Sequence, residues 1–448
     1  MQTRKDQVQA YQFAMGRLAT ALVSGNPGGG ESPTRRASLG TFFGAALVVL
    51  LCIGFGVYGL ISPVAKTSWK KDGAVVVEKE NGNRFLYVQG VLHPVRNYAS
   101  ALLISGAGAA APESVSAKSL AGVRIGSAVG IPDAPDAVPA AASLLTGAWT
   151  RCLRPGLPGG QSVDFAPGGH TSALPDDRQV LLSDAKGGRY VLWHGKKYRV
   201  TGDAVMIALG MDDEQPLAAP DNWLSAVPSG PALAAAKIDG GGQPAGKVAG
   251  RSTAVGDLFT TAGTGGSAHF YVMLKDGIAP VTATESALMS ATAGAAKPRT
   301  VTATDIAVAP VSKDRTLMHR LPNLLDMRAA GTEGAAVCLR QQSAGPALRT
   351  GIVLEHGPAA TGSRPVLLPA GKGVLALDQA QVGKQGITPR EFLITEDGIE
   401  YPLDGDQAAG VLGFGGGGGL PLPENVLALL PRGPALSRTA AVDTVQRG

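Results

Sequence analysis

The residues whose types come closest to phosphate chemistry lie at 241–248, GGQPAGKV. A nucleotide loop of the form G-x-x-x-x-G-K-[ST] cradles phosphates with its amides, reaches their outer oxygens with its lysine and holds magnesium through its hydroxyl. Gly241, Gly246 and Lys247 are correctly spaced, but Val248 stands where the hydroxyl belongs, and the preceding KIDGG is no buried strand. The segment reads as a flexible loop. GTGGSA, at 263–268, is glycine-rich without a lysine and leads into a strand-like run. The six histidines, His93, His170, His194, His269, His319 and His356, show no H-x₃₋₅-H zinc spacing. His93 and His194 lie on or beside strand-like runs and read as solvent-facing. Asp133 and Asp136 fall in PDAPD, where flanking prolines make a loop turn rather than an acid–base pair. There is no G-x-S-x-G nucleophile elbow. The expectation is no catalytic residue, no cofactor and no metal.

What the chain does carry is a repeated element. NRFLYVQGVLHPVRNYASALLI (83–104) returns as GRYVLWHGKKYRVTGDAVMIAL (188–209), AHFYVMLKDGIAPVTATESALMS (268–290) and REFLITEDGIEYPLDGDQAAGVL (390–412). Each copy has a β-rich run, a turn at Gln89-Gly90, His194-Gly195, Asp276-Gly277 or Asp397-Gly398, a second strand, and an apolar helix. The two Asp-Gly pairs are strong hairpin signals, because glycine takes positive φ without strain. Proline at Pro94, Pro280 and Pro402 places the second strand at a sheet edge. Thr282 with Glu285 forms a capping-box pattern, and Asp404 with Gln407 resembles one. A unit this small cannot bury its own apolar face and must pack on something else. The glycines Gly90, Gly195, Gly277 and Gly398 are unevenly spaced, unlike a solenoid. Modules mounted around a separate centre fit better.

Phe42 to Ile61 reads FFGAALVVLLCIGFGVYGLI, 20 residues without a charge. A helix of that length spans roughly 30 Å, the thickness of a bilayer core. Arg35 and Arg36 precede it and favour a cytoplasmic N-terminus, although Lys66, Lys70 and Lys71 follow. The run is too long, and begins too late, for a cleaved signal peptide. Ahead of it, Val8, Tyr11, Met15, Leu18 and Leu22 share one helical face, and Gly25 to Gly30 ends that helix. Cys52 sits inside the span. Cys152 and Cys338 are the two cysteines beyond it, and in an oxidising compartment they allow one disulfide. The alternative is a pair of free, buried thiols.

Charge argues against nucleic acid. Residues 1–62 carry five basic and two acidic groups, and the rest of the chain 35 basic against 33 acidic. A body so near neutral offers no surface for tracking phosphates. With 62 glycines and 31 prolines, and aromatics at 5%, the cores are modest and the loops many.

The order of these features resembles the EccB family, the single-span membrane subunit of type VII (ESX) secretion. The resemblance rests on QVQAYQFAMGRLATAL before the span, YVQGVLHPVRNYASALLI after it, VGIPDAPDAVP (129–139), WTRC ending at Cys152, the second cysteine at Cys338, and LPENVLALLPRGPALS (422–437). It implies an α+β chain: a cytosolic helix, one transmembrane helix, and an elongated extracytoplasmic part with a β-rich core and four repeats in quasi-twofold arrangement. It also implies assembly with EccC, EccD and EccE in a multimeric inner-membrane complex, with the mycosin protease nearby. The glycine run Gly413 to Gly419 departs from the family pattern and puts the packing of the fourth repeat in question.

The expected division is a cytosolic segment (1–40), the span (41–62), repeat 1 (63–115), a first core segment (116–179) and repeat 2 (180–225). A linker with repeat 3 (226–298), a second core segment (299–380), repeat 4 (381–437) and a tail (438–448) complete it. The function read from this is a structural subunit of a secretion complex, self-associating and membrane-bound. The alternatives are a tethered ATPase of the same system, since some family members are described so, or an envelope-binding anchor.

Overall fold

A computed structural model describes residues 4–25, 34–61, 67–106, 112–263, 267–292, 295, 297–331, 334–344, 347–405, 407–415 and 418–446. The chain divides into two compact units, Met1–Thr67 and Ser68–Gly448. The first holds two helices, α1 (Arg4–Ser24) and α2 (Thr34–Ile61). α1 carries Val8, Tyr11, Met15, Leu18 and Leu22 exposed. Within α2, Ser38–Tyr58 is long and apolar enough to cross a membrane, and none of its most apolar stretch is buried by protein. The side chains of Arg35, Arg36 and Lys66 lie outside the described residues, as does Asn26–Gly30.

The second unit is built from one sheet motif used four times around a central sheet. The first copy comprises β1 (Ala74–Glu78), β2 (Arg84–Val88), β3 (Val91–Pro94), helix α3 (Tyr98–Ser105), β4 (Glu113–Val115), short helix α4 (Ala117–Leu120) and β5 (Arg124–Ile125). The strands lie in the order β4-β1-β2-β3-β5. β1 to β3 form an antiparallel meander, the helix crosses over, and β4 returns parallel to β1. β5 then runs parallel along β3. The central sheet takes β6 (Trp149–Leu153), β7 (Gln161–Asp164) and β8 (Thr171–Ala173) from the next stretch of chain.

The second copy is β9 (Arg178–Ser183), β10 (Arg189–Trp193), β11 (Lys196–Val200), α5 (Asp203–Ala208), β12 (Leu217–Ala218) and α6 (Asp221–Leu224). A separate hairpin, β13 (Pro244–Val248) and β14 (Arg251–Ala254), precedes the third: β15 (Leu258–Ala262), β16 (Ala268–Leu274), β17 (Gly277–Val281), α7 (Ala283–Ser290), β18 (Arg299–Thr300) and α8 (Ala303–Val308). α9 (Thr316–Arg320) and β19 (Arg328–Ala329) lead back to the centre, where β20 (Ala335–Ala344), β21 (Ala347–His356), α10 (Pro358–Thr361) and β22 (Val366–Leu367) follow. The fourth copy is β23 (Val374–Asp378), β24 (Glu391–Ile394), β25 (Glu400–Leu403), a π-turn at Gly410–Phe414, β26 (Leu420–Leu422) and α11 (Glu424–Leu427). α12 (Arg438–Gln446) ends the described chain. The return strands β12, β18 and β26 all run parallel to the first strand of their copy.

Each copy therefore reaches beyond the segment assigned to it from sequence. β23 opens the fourth copy at Val374, inside the expected second core segment, and β18 and α8 of the third lie there too. The central sheet, in the order β22-β7-β6-β20-β21-β8, draws only on 149–173 and 335–367. The physical reason is the parallel closure: a return strand and a last edge segment come from chain well after the helix, where no hairpin signal marks them.

That closure corrects the edge assignment for β3, which β5 flanks; β17 and β25 are the outer strands of their sheets, met beyond only by isolated bridges. Pro94, Pro280 and Pro402 all lie on strands that later chain meets. Val95 pairs with Val129, Ile278 with Val311 and Leu403 with Leu436, all parallel. The carbonyls of Pro94 and Pro402 accept from Val129 N and Leu436 N at 2.8 and 2.7 Å. Proline is tolerated because only its acceptor is needed. The turns differ as well. Gln89-Gly90 and His194-Gly195 have positive φ at both residues, the twist-matched two-residue hairpin. Gly277 instead lies within β17, where a Cβ would sit 2.3 Å from Pro310 O. It is there to let the covering strand approach. The Thr282 cap is half of the expected box: its hydroxyl accepts from Glu285 N, but the Glu285 carboxylate is held by Arg320. The fourth helix forms chiefly as the π-turn, with Gly413 at φ 93. Of the glycine run, Gly416 and Gly417 lie outside the described residues.

The four copies pack in pairs. α3 of the first (Ala99, Leu102, Leu103) shares a core with Leu393, Tyr401, Val411, Leu412 and Phe414 of the fourth. α5 and its strands in the second share one with Leu288 of the third, closed by Leu321 and Leu324. The second and fourth copies rest on the central sheet, the second against Leu153, Val337 and Leu339, the fourth against Trp149, Val163 and Phe165. α12 is no loose tail: Ala441 is fully buried in the shared core of copies one and four, and Thr444 Oγ1 accepts from Gly130 N at 2.8 Å.

Candidate functional site: the linked sheet and the paired repeats

The sequence-level candidates for chemistry fall apart as a set. Lys247 lies exposed on β13, in a hairpin that turns at Ala249-Gly250. The expected flexible loop is thus a strand pair, with Thr253 Oγ1 donating to Ala245 O at 2.7 Å. A phosphate loop needs its amides turned inward before a helix, and here they run into a second strand. Thr264 to Gly266 lie outside the described residues. His93 is buried rather than solvent-facing, its Nδ1 3.1 Å from Ser127 O, because the chain after β5 folds over β3. His194 stacks on Trp193 with Nε2 3.0 Å from Asp176 Oδ1. Asp136 pairs with Arg84 and accepts from Tyr98 N at 3.2 Å, while Asp133 takes a left-handed turn.

The notable chemistry is in the central sheet. Cys152 lies directly opposite Cys338 on antiparallel β6 and β20, with Cα atoms 4.0 Å apart and the sulfurs joined at 2.04 Å. Both cysteines are fully buried. Glu355 Oε2 lies 3.3 Å from Cys152 Sγ. Burial pushes the Glu355 carboxyl up to about 7, helped by the Asp164 carboxyl beside it and opposed by the Thr150 hydroxyl. Arg154 closes this face by donating to Ala359 O and Gly362 O at 2.5 and 2.6 Å, which pins α10 over the sheet.

The opposite face carries Trp149, Arg151 and Leu153, since side chains alternate along β6. Arg151 is fully buried. Gln161 Oε1 accepts from its Nε and Nη2 at 3.3 and 3.0 Å, and Gln161 Nε2 donates onward to Asn222 Oδ1 at 3.0 Å. Trp223 Nε1 donates to Arg151 O at 2.9 Å, tying α6 to β6. None of these polar residues was singled out from sequence. Two signals were present: Cys-Leu-Arg occurs at 152–154 and again at 338–340, and VPSGPAL (227–233) is matched by LPRGPAL (430–436). In the latter pair, Gly230 and Gly433 face the Tyr198 and Tyr401 rings, where a Cβ would come within 2.3 Å of each.

The Glu355 carboxyl is raised from 4.5 to about 7 on folding, so the folded state holds a proton that the unfolded chain has released. Stability falls as pH rises between those values, by about 3 kcal/mol in total. Glu355→Gln, neutral at every pH, is expected to match the parent near pH 5 and exceed it near pH 8. Urea midpoints at the two pH values measure this, and an equal shift at both would refute it.

A family model described as "Type VII secretion system ESX-1, transport TM domain B" matches residues 1–446. The chain belongs to the EccB family. The ESX-2 secretion system ATPase EccB2 of Mycobacterium tuberculosis (strain ATCC 25618 / H37Rv) is 28% identical, over 90% of this chain and 88% of that one. The ESX-3 secretion system ATPase EccB3 of Mycolicibacterium smegmatis (strain ATCC 700084 / mc(2)155) is 27% identical, over 98% and 90%. Among solved structures, the EccB3 dimer from the ESX-3 core complex matches at 25% identity and TM-score 0.55, over 82% of this chain and 99% of that one. An intact ESX-5 inner membrane complex contains a chain of the same fold, at 23% identity and TM-score 0.58, over 99% and 95%. This EccB chain is thus a membrane component of type VII secretion, with a mixed α/β, β-rich region following the one candidate span among the described residues.

Proposed function

We propose that this EccB chain is a scaffold of the secretion complex and turns over no nucleotide. The observation that carries the reading is the family match over residues 1–446. The pairing of repeats supports it. Copies one and four form one arm and copies two and three the other, and the disulfide joins the strands between them. A quasi-twofold body with two arms suits contacts with further copies and with neighbouring subunits. The resemblance names those as EccC, EccD and EccE, with a mycosin protease nearby. Copurification of the full chain with these at fixed stoichiometry tests the reading against recovery of envelope polymer.

The proposed topology has residues 1–40 in the cytosol, the uncharged run Phe42–Ile61 of α2 in the inner membrane and the second unit outside, where the Cys152–Cys338 bridge persists. A cysteine introduced at Thr20 is expected to resist a membrane-impermeant thiol reagent on intact cells. Labelling there would reverse the assignment.

The ATPase reading is favoured by one observation, the name its relatives carry. Lys247 is the lysine such a reading would use. Lys247→Ala is expected to leave export and complex assembly unchanged, within about 0.5 kcal/mol in stability, as for a surface substitution. Loss of export together with loss of ATP hydrolysis by the purified chain would install the ATPase in place of the scaffold.

A further inference from the structure

The side chains around the bridge are not those that a disulfide needs. A disulfide is uncharged and takes no ionic partner, yet its face of the central sheet also carries two carboxyls. Glu355 is almost fully buried, with Oε2 3.3 Å from Cys152 Sγ. The Asp164 carboxyl hydrogen-bonds Glu355, and the Thr150 hydroxyl acts on it too. Ser162, opposite Cys152 in the register, is buried with its hydroxyl unpartnered. The basic groups of this face do not pair with the acid: Arg154 is spent on the carbonyls of Ala359 and Gly362, and Arg340 is exposed. Burying acids beside an uncharged bridge costs stability and returns none.

Around two thiolates the same residues make sense. One ligand atom from each of Cys152, Cys338 and Glu355 lies within 4.8 Å of the other two, and all three residues are buried. Zinc takes thiolate sulfur at about 2.3 Å and carboxylate oxygen at about 2.0–2.2 Å, so the ligand atoms of one tetrahedral site stand about 3.5–4 Å apart. We propose that, when the bridge is open, Cys152, Cys338 and Glu355 bind one divalent cation of the zinc class, so that the middle of the sheet is held by either a disulfide or a metal. Asp164 then orients the Glu355 carboxylate, and Ser162 Oγ gains a thiolate to donate to. Ala336 and Ala359 pack on the sulfurs and keep water away. Two thiolates and a carboxylate exceed the charge of the cation by one, which Arg154, reaching over the same face, offsets. Opening the bridge takes two electrons from a dithiol, which leaves as its own disulfide while its two protons go to the cysteine sulfurs. Metal binding then releases both thiol protons, and that of Glu355, to solvent. The ligands come from strands far apart in the chain, so no short spacing marks them.

The test uses the full chain in detergent micelles, with Cys52→Ser to remove the third thiol. It is reduced with a dithiol in urea, refolded without air and free of the dithiol, and titrated with Co²⁺. A thiolate-to-cobalt charge-transfer band is expected to saturate at one equivalent and to vanish when one equivalent of Zn²⁺ is added. The bridged chain should give no band. Glu355→Gln, its fold checked in the bridged state, is expected to weaken Co²⁺ binding by about tenfold or more, the loss typical even of an outer partner. Bound Zn²⁺ is also expected to stop glutathione disulfide from closing the bridge until a chelator is added. The proposal is overturned if the reduced chain gives no band, if Glu355→Gln binds as tightly as the parent, or if the bridge closes equally fast with and without Zn²⁺.

Discussion

Replacing Cys152 and Cys338 together with serine is expected to lower the unfolding free energy by about 2–5 kcal/mol, the range for removing a native bridge. The upper end is the better guide. The bridged cysteines are 186 residues apart, and in the chain-entropy account a loop that long restrains the unfolded chain by about 5 kcal/mol. β6 and β20 come from distant parts of the sequence and form the middle of the central sheet. Their pairing positions both arms. The denaturation midpoint of the double variant under non-reducing conditions reads the effect, and reductant should shift the parent but not the variant. An unchanged midpoint would show that β-pairing alone holds the centre.

The second large effect belongs to the arms. Leu103 on α3 and Leu288 on α7 are both fully buried, each in a core shared by two repeats. Leucine-to-alanine changes at such sites cost about 2–5 kcal/mol, through lost transfer energy and the cavity left behind. The two variants are expected to fall in that same range and to act on different arms. Being far apart with no shared core, they should add. Differential scanning calorimetry of the single and double variants checks this. A marked excess in the double variant would mean that the arms communicate through the central sheet.

Much of the repeat was readable because its first half is local. Phe85–Val88, Tyr190–Trp193 and Phe270–Met273 announce strands by composition, and glycine near each turn sets the hairpin. The uncharged run at Phe42–Ile61 was equally plain. The return strands were not. Leu217–Ala218 and Arg299–Thr300 are two residues long and pair parallel to strands far earlier in the chain. No periodicity survives in two residues. The polar centre was hidden for another reason. Arg151, Gln161 and Glu355 look like surface residues of half-exposed strands, and only covering both faces of the sheet buries them. The pairing of copy one with copy four is likewise invisible to any local pattern, since α3 meets residues some 300 positions later.

That pairing sets an order of events during synthesis. Copies two and three are neighbours in sequence, so the core around Leu288, Leu321 and Leu324 can close as soon as the third copy has emerged. Copy one emerges before either, yet α3 has its partners at Leu393–Phe414 and on α12, at the very end of the chain. Leu102 and Leu103 can meet Ile131 and Ala134 early, but the rest of their core stays open through the elongation of nearly the whole body. Contacts this distant in sequence form slowly and leave apolar surface open meanwhile. The first copy made is the last to be finished, and a chain truncated anywhere before α12 would leave an arm with an open apolar flank.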